Sequence, residues 1–174
     1  MALASGWAGV REVDAFERLF SAEYARVVGI AYRVLSDAHE AEDVAQDVFS
    51  SFYGKHSSDA PYAAPWLYRA AAHAALNQIR GRRRRERREV ASFDTSEMAP
   101  DPQRAVIDAE QRREVRAALA RLPEKYASCL ALRYSGLSYA DVADALGVGI
   151  GQVGTILRRA EAALRKELIH DTPR

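Results

Sequence analysis

Cysteine is almost absent from this 174-residue chain: Cys129 stands alone, so no disulfide can form within it. Histidine is nearly as sparse, and His39, His56, His73 and His170 lie too far apart to suggest a metal site, so no metal and no cofactor is expected. No run approaches the roughly 20 consecutive apolar residues that a membrane-crossing helix needs. The N-terminus lacks a basic stretch followed by an apolar core and cleavage site. Membrane insertion is therefore not expected, and the cytoplasm is the expected location. Missing too are a nucleophile paired with a base and a phosphate-cradling glycine loop at any recognisable spacing, so no catalytic residue is assigned and the chain is not expected to be an enzyme.

What the chain does hold is enough apolar material to bury a core, 48% hydrophobic against 28% charged residues, which marks a globular protein. Length alone leaves one or two domains open. The net charge of +1 conceals a sharp change of sign. Residues 1–68 carry five Arg and Lys against ten Asp and Glu, whereas residues 69–88 carry eight Arg against one Glu. An acidic front with a basic block behind it suggests two surfaces for two partners.

Periodicity then fixes the class as all-α. Phe16, Phe20, Tyr24, Val27, Ala31 and Leu35 recur every three or four residues and form one stripe of a helix. Asp37 can cap a second helix, whose apolar stripe is Ala41, Val44, Ala45, Val48 and Phe52 and whose outer face, with Asp43, Gln46, Asp47 and Ser50, is acidic. Gly54 to Ala64 reads as a loop, and Pro65 suits the first turn of a third helix, WLYRAAAHAALNQIRGRRRR. VASFDTSEMAPDPQ has the composition of a flexible linker. Beyond it, helices are predicted over 106–122 and 124–134, with Pro123 between them and Gly136 as the stop.

The segment LSYADVADALGVGIGQVGTILRRAEAALRKEL has the pattern of a helix-turn-helix. Ser138 and Asp141 form an approximate capping box, Ala143 is small where a second helix must cross, and Gly147 supplies the turn. Val153, Leu157, Ala160 and Leu164 give the next helix one apolar seam, leaving its other face free for DNA. The chain is thus read as two small helical domains joined by a flexible linker, the second containing the helix-turn-helix.

In order and spacing, AEDVAQDVFSSFY, WLYRAAAHAALNQIRGRRRR, LARLPEKYASCLALRYSGLSYADVADALGV and RRAEAALR resemble the extracytoplasmic-function group of bacterial σ factors, in the σ70 family. The resemblance spans about Phe16 to Leu168. It implies a region 2 domain over 10–89 that binds core RNA polymerase and recognises and melts the minus-ten element, a linker over 90–103, and a region 4 domain over 104–170 for the minus-thirty-five element. The partners it implies are core RNA polymerase, through the β′ coiled coil and the β flap, promoter DNA, and an anti-σ factor.

Carried onto this chain, the family's polymerase-binding helix places Asp43, Gln46, Asp47 and Phe49 at the β′ coiled coil. Minus-ten contacts fall to Tyr62, Trp66, Tyr68, Arg69, His73, Asn77, Arg80, Arg82, Arg83 and Arg84. Aromatics beside cations suit an unpaired strand, because bases stack on rings while arginine neutralises phosphate. Tyr62 lies in the family's specificity loop, where an extruded base is held, and Trp66 is expected to serve mainly the core. Minus-thirty-five contact falls to Gln152, Thr155, Arg158 and Arg159.

The match has departures. Ala72 and His73 stand where the family usually has Arg-Asn, and Asn77 where it has Asp. The recognition helix lacks its usual Lys and Arg: Gly154 costs about 1 kcal/mol relative to Ala inside a helix, Ile156 occupies a place where a DNA contact is expected, and Glu161 replaces a frequent arginine. A σ-like decoy or adaptor, and a helix-turn-helix regulator that does not replace a σ factor, are the competing readings. The basic block opposes the first and the acidic second helix the other.

Overall fold

A computed structural model describes the backbone of residues 3–91 and 103–171 and the side chains of residues 12–88 and 109–169. The linker expected over 90–103 lies almost entirely outside the described residues. Seven helices and no strand occur among the described residues: α1 (Leu3–Leu35), α2 (Ala38–Phe52) and α3 (Ala63–Ala91), then α4 (Gln103–Arg121), α5 (Glu124–Tyr134), α6 (Tyr139–Leu146) and α7 (Ile150–Asp171).

The first three helices pack on one another because each carries a stripe of apolar residues at helical spacing. On α2, Ala41, Val44, Ala45, Val48, Phe49 and Phe52 are all buried. They meet Val27, Ile30, Ala31, Val34 and Leu35 of α1 and Leu67, Ala71, Ala75 and Leu76 of α3 in the same core. The alanines of α3 let the three axes approach closely, and Ile30, Phe52, Leu67 and Leu76 fill the space left between them. Burying each of these four contributes about 1.5–3 kcal/mol. Asp37 caps α2 as its sequence position implies, its Oδ1 accepting the Glu40 N–H at 3.0 Å. Ser36, between α1 and α2, takes φ +57°, and its N–H still closes on the Tyr32 carbonyl at 2.8 Å.

In the second half, α5 contributes Ala127, Cys129, Leu130, Ala131 and Leu132, and α6 and α7 close over them with Val142, Ala143, Ala145, Val153, Leu157 and Ala160. The capping box at Ser138 forms: Ser138 Oγ accepts the Asp141 N–H at 3.1 Å while Asp141 Oδ2 accepts the Ser138 N–H at 3.1 Å. Gly147 ends α6 at φ 64°, where a side chain would be strained. α6 and α7 consequently meet at 88°, close to the crossing expected of a helix-turn-helix.

The two halves are packed against each other. Buried residues of both belong to one continuous apolar cluster that includes Ile79 of α3 and Leu119 and Leu122 beside the end of α4. No periodicity in the sequence announces this packing, because it pairs residues far apart in the chain.

Candidate nucleic-acid interface

The acidic face of α2 is exposed over Asp43, Gln46 and Asp47. Phe49 departs from its sequence reading: it is only 2% exposed and sits among Phe16, Phe20 and Tyr24, with ring centroids 4.8–6.2 Å away. Alternation at three and four residues puts position 49 on the core face, so Phe49 can support the docking surface from beneath but does not line it.

The loop between α2 and α3 is tied to α1. Glu12 Oε1 accepts from Ser58 twice, from its N–H at 3.2 Å and its hydroxyl at 2.9 Å, and Arg18 pairs with Asp59 at 3.3 Å. Held this way, the loop presents Tyr62 at 49% exposure. His56, which sequence reasoning did not single out, stacks on Phe52 at 5.1 Å, lies 4.7 Å from Trp66 and faces the Tyr62 ring edge-on at 6.0 Å. Nothing in the local pattern marks His56, since its neighbours come from α2 and α3 together. Trp66 is half-buried against Phe52 and His56, the mainly structural place expected of it.

Tyr68 also departs from its reading. It is 3% exposed, its hydroxyl donates to Glu23 Oε2 at 2.5 Å and accepts from Arg26 at 3.0 Å, and the Arg26 guanidinium lies 5.7 Å from its ring centroid. Burial and the Glu23 bond push the phenol up to about 12. Tyr68 therefore welds α3 to α1 and has no ring face free for a base.

Along the rest of α3 the side chains divide by direction. Arg69, His73 and Asn77 are exposed and one or two turns apart, with Asn77 Nδ2 3.3 Å from the His73 ring and His73 Nε2 3.4 Å from Glu124. Arg82 pairs with Glu40 of α2. Arg80 and Arg83 are half-buried and donate to backbone carbonyls beside the end of α4, to Ala120 and Leu122 and to Ala117 respectively. Arg84, Arg85, Arg87 and Arg88 are exposed. Consecutive arginines thus point in different directions, as helical geometry requires, and only part of the block faces solvent.

On α7, Gln152, Thr155, Arg158 and Arg159 share the exposed side. Gln152 is partly committed: its Oε1 accepts the Gly149 N–H at 3.2 Å, which satisfies one of the free donors at the start of the helix and leaves the amide NH2 for a base edge. Ile156 does not occupy a DNA-facing place. It is 9% exposed and belongs to the core with Val153 and Leu157. Glu161 accepts from the Tyr134 hydroxyl at 2.8 Å, which raises the Tyr134 pKa.

An acidic helix face, an aromatic loop ahead of an arginine-bearing helix, and a capped helix-turn-helix with a polar outer side define a helical DNA-binding protein built of two modules. Residues 19–85 match the family model described as Sigma-70 region 2, and residues 112–164 the one described as Sigma-70, region 4. The chain belongs to the extracytoplasmic-function σ factors of the σ70 family. It is 33% identical to the RNA polymerase sigma-H factor of Pseudomonas aeruginosa over 88% of this chain and 86% of that one. It is 30% identical to the ECF RNA polymerase sigma factor SigW of Bacillus subtilis over 89% of each. Two solved structures share the fold: the sigma factor RpoE in complex with the anti-sigma factor NepR from Bartonella quintana, with TM-score 0.52 at 24% identity over 90% of this chain and 98% of that one, and CnrH in complex with the cytosolic domain of CnrY, with TM-score 0.55 at 19% identity over 96% of each.

Proposed function

We propose that this chain is the promoter-specificity subunit of a bacterial RNA polymerase: it binds the core enzyme, directs it to particular promoters and assists strand opening. The observation that carries this reading is the succession, in one chain of σ-factor family, of an exposed acidic face on α2, an aromatic loop and arginine helix at α3, and a helix-turn-helix at α6–α7. Binding free energy does all of its work. As a transcription initiation factor it performs no covalent chemistry, and it acts in the cytoplasm, where core polymerase and promoters are.

Asp43 and Asp47 supply the charge, and Gln46 an amide for hydrogen bonding, that meet the β′ coiled coil, above a floor formed by Phe49. Tyr62, with His56 and Trp66 behind it, offers a stacking surface for an extruded minus-ten base, while Arg69, His73 and Asn77 track the strand. Arg84 and its exposed neighbours neutralise phosphates, so affinity for DNA falls steeply with salt. Gln152 and Thr155 face the minus-thirty-five bases, and Arg158 and Arg159 its backbone. Residues 10–89 and 104–170 are the two working units. The sigma factor RpoE, of this fold, is solved in complex with the anti-sigma factor NepR, and we assign this chain a partner of the same kind.

In vitro transcription with core polymerase on a library of candidate promoters tests the reading. Initiation at a defined subset that depends on this protein is the expected result. Binding to core without initiation anywhere would replace it by the decoy or adaptor reading.

A further inference from the structure

The first N–H groups of a helix have no acceptor within it, and three helix starts in this chain are served differently. Asp37 caps α2 and Ser138 caps α6 through their own side-chain oxygens, which accept the Glu40 N–H at 3.0 Å and the Asp141 N–H at 3.1 Å. Gly149, immediately before α7, has no side chain to offer. Its own N–H is taken instead by Gln152, whose Oε1 accepts at 3.2 Å, while the Gly149 carbonyl accepts the Gln152 N–H at 2.8 Å. This is one half of a capping box, with Gln152 at the position from which Glu or Gln reaches back.

The bond fixes which end of the amide faces out. Only the carbonyl oxygen can meet a backbone N–H, so Oε1 points back at the helix start and Nε2, a donor with two hydrogens, is left over. Gln152 is exposed, and its Nε2 has no hydrogen-bond partner among the described residues. Nothing lies within 4 Å of where a Cβ on the neighbouring Gly151 would stand. The free end is thus a pure donor in open surroundings, in the first turn of a helix whose kind meets base edges with its first residues.

The four bases answer such a donor unequally in the major groove. Guanine offers two acceptors, O6 and N7; adenine offers N7 beside an amino group, thymine offers O4, and cytosine only a donor. The adenine clamp usual for glutamine needs oxygen and nitrogen side by side, one accepting from N6 while the other donates to N7. Turning Oε1 outward for that purpose would strand the Gly149 N–H beneath DNA, and an orphaned buried donor costs more than one neutral hydrogen bond returns.

We infer that Gln152 is a guanine reader: with its oxygen held by the Gly149 N–H, it donates its amide hydrogens to O6 and N7 of one guanine in the minus-thirty-five element and discriminates against adenine. The inference rests on the σ-factor reading for placing α7 in the major groove, and it adds the base that this position selects.

Gln152→Glu tests it, because glutamate keeps the cap and loses the donor. A carboxylate oxygen still accepts the Gly149 N–H and suits a helix start, yet it can only accept from a base, and the cytosine amino group is its partner. Gln152→Ala loses both cap and donor. Holoenzymes formed from core polymerase and full-length wild type, Gln152→Glu or Gln152→Ala select from one library of promoter duplexes randomised over the minus-thirty-five element, and the retained sequences are counted. Wild type should favour a G·C pair at one position by about fivefold or more over A·T. Glutamate should abolish that preference or reverse the pair to C·G, and alanine should flatten it, while the other positions of the element keep theirs. The added negative charge lowers retention of all sequences alike and leaves these ratios untouched. Thermal melts are the companion readout: a residue that only caps the helix would make glutamate behave as wild type in both melting and selection, with alanine alone impaired. That outcome, three identical selection profiles, or an A·T pair in either orientation at the position the variants alter would overturn the inference. A wild-type holoenzyme that retains no promoter at all overturns the σ-factor reading, and the inference with it.

Discussion

Tyr68 of α3 donates its phenolic hydroxyl to Glu23 of α1 at 2.5 Å, and burial together with this bond holds its proton well beyond the ordinary range for tyrosine. The folded phenol is raised from 10.0 to about 12, so the folded protein keeps a proton that the unfolded chain releases sooner. The Tyr68 contribution to stability is accordingly complete below pH 10.0 and lost as pH rises towards 12. Chemical denaturation of wild type and Tyr68→Phe across this range is the check. The variant should be less stable by about 1 kcal/mol at neutral pH, and its alkaline loss of stability should be shallower. Identical alkaline profiles would mean that the phenol is not buried.

Tyr68 also shows where sequence reading reached its limit. Motif register put Tyr68, Phe49 and Ile156 on contact surfaces, yet each falls in step with a buried stripe: 68, 71, 72, 75, 76 and 79 on α3, 41, 44, 45, 48, 49 and 52 on α2, and 153, 156, 157 and 160 on α7. The periodicity that would have placed them inside was legible and was outweighed by motif position. The Asp37 cap, the Ser138–Asp141 box and the Gly147 turn were legible because each depends on residues only a few positions apart. The arginine bonds to helix ends were not, since Arg33 and Tyr134 are 101 positions apart and one partner is a carbonyl that every residue possesses.

Asp47 is exposed on α2, and its face continues through Asp43 and Gln46. Reversing its charge touches no core contact, so Asp47→Arg should leave the thermal midpoint unchanged within a few degrees while abolishing co-purification with core polymerase. A variant that still binds core at wild-type affinity would move the docking surface elsewhere.

Ser138 makes both bonds of the capping box and also donates its hydroxyl to Asp141 Oδ2 at 2.7 Å. Ser138→Ala should destabilise the protein by about 1 kcal/mol, and Ser138→Gly by less. Minus-thirty-five binding should weaken in the same order, because the cap sets the start of the helix that crosses α7. Urea melts together with filter binding to a minus-thirty-five duplex separate this from a purely local fraying of α6, which would lower stability and leave DNA affinity unchanged.

Gly154 is half-exposed on α7, and a Cβ built there lies 3.7 Å from the Tyr139 ring, an ordinary contact that requires nothing to move. Its glycine is therefore not imposed by crowding. Gly154→Ala should stabilise α7 by up to about 1 kcal/mol through helix propensity alone. Gly154→Lys should gain nearly as much and add a cation to the helix proposed to face DNA, whose assigned cations are Arg158 and Arg159. Comparing the two isolates the charge: Lys should bind a minus-thirty-five duplex more tightly than Ala, and its affinity should fall about one power of salt concentration more steeply, as one added phosphate contact requires. If Ala and Lys bind alike at every salt concentration, position 154 does not face DNA, and grip on this element rests on Arg158 and Arg159.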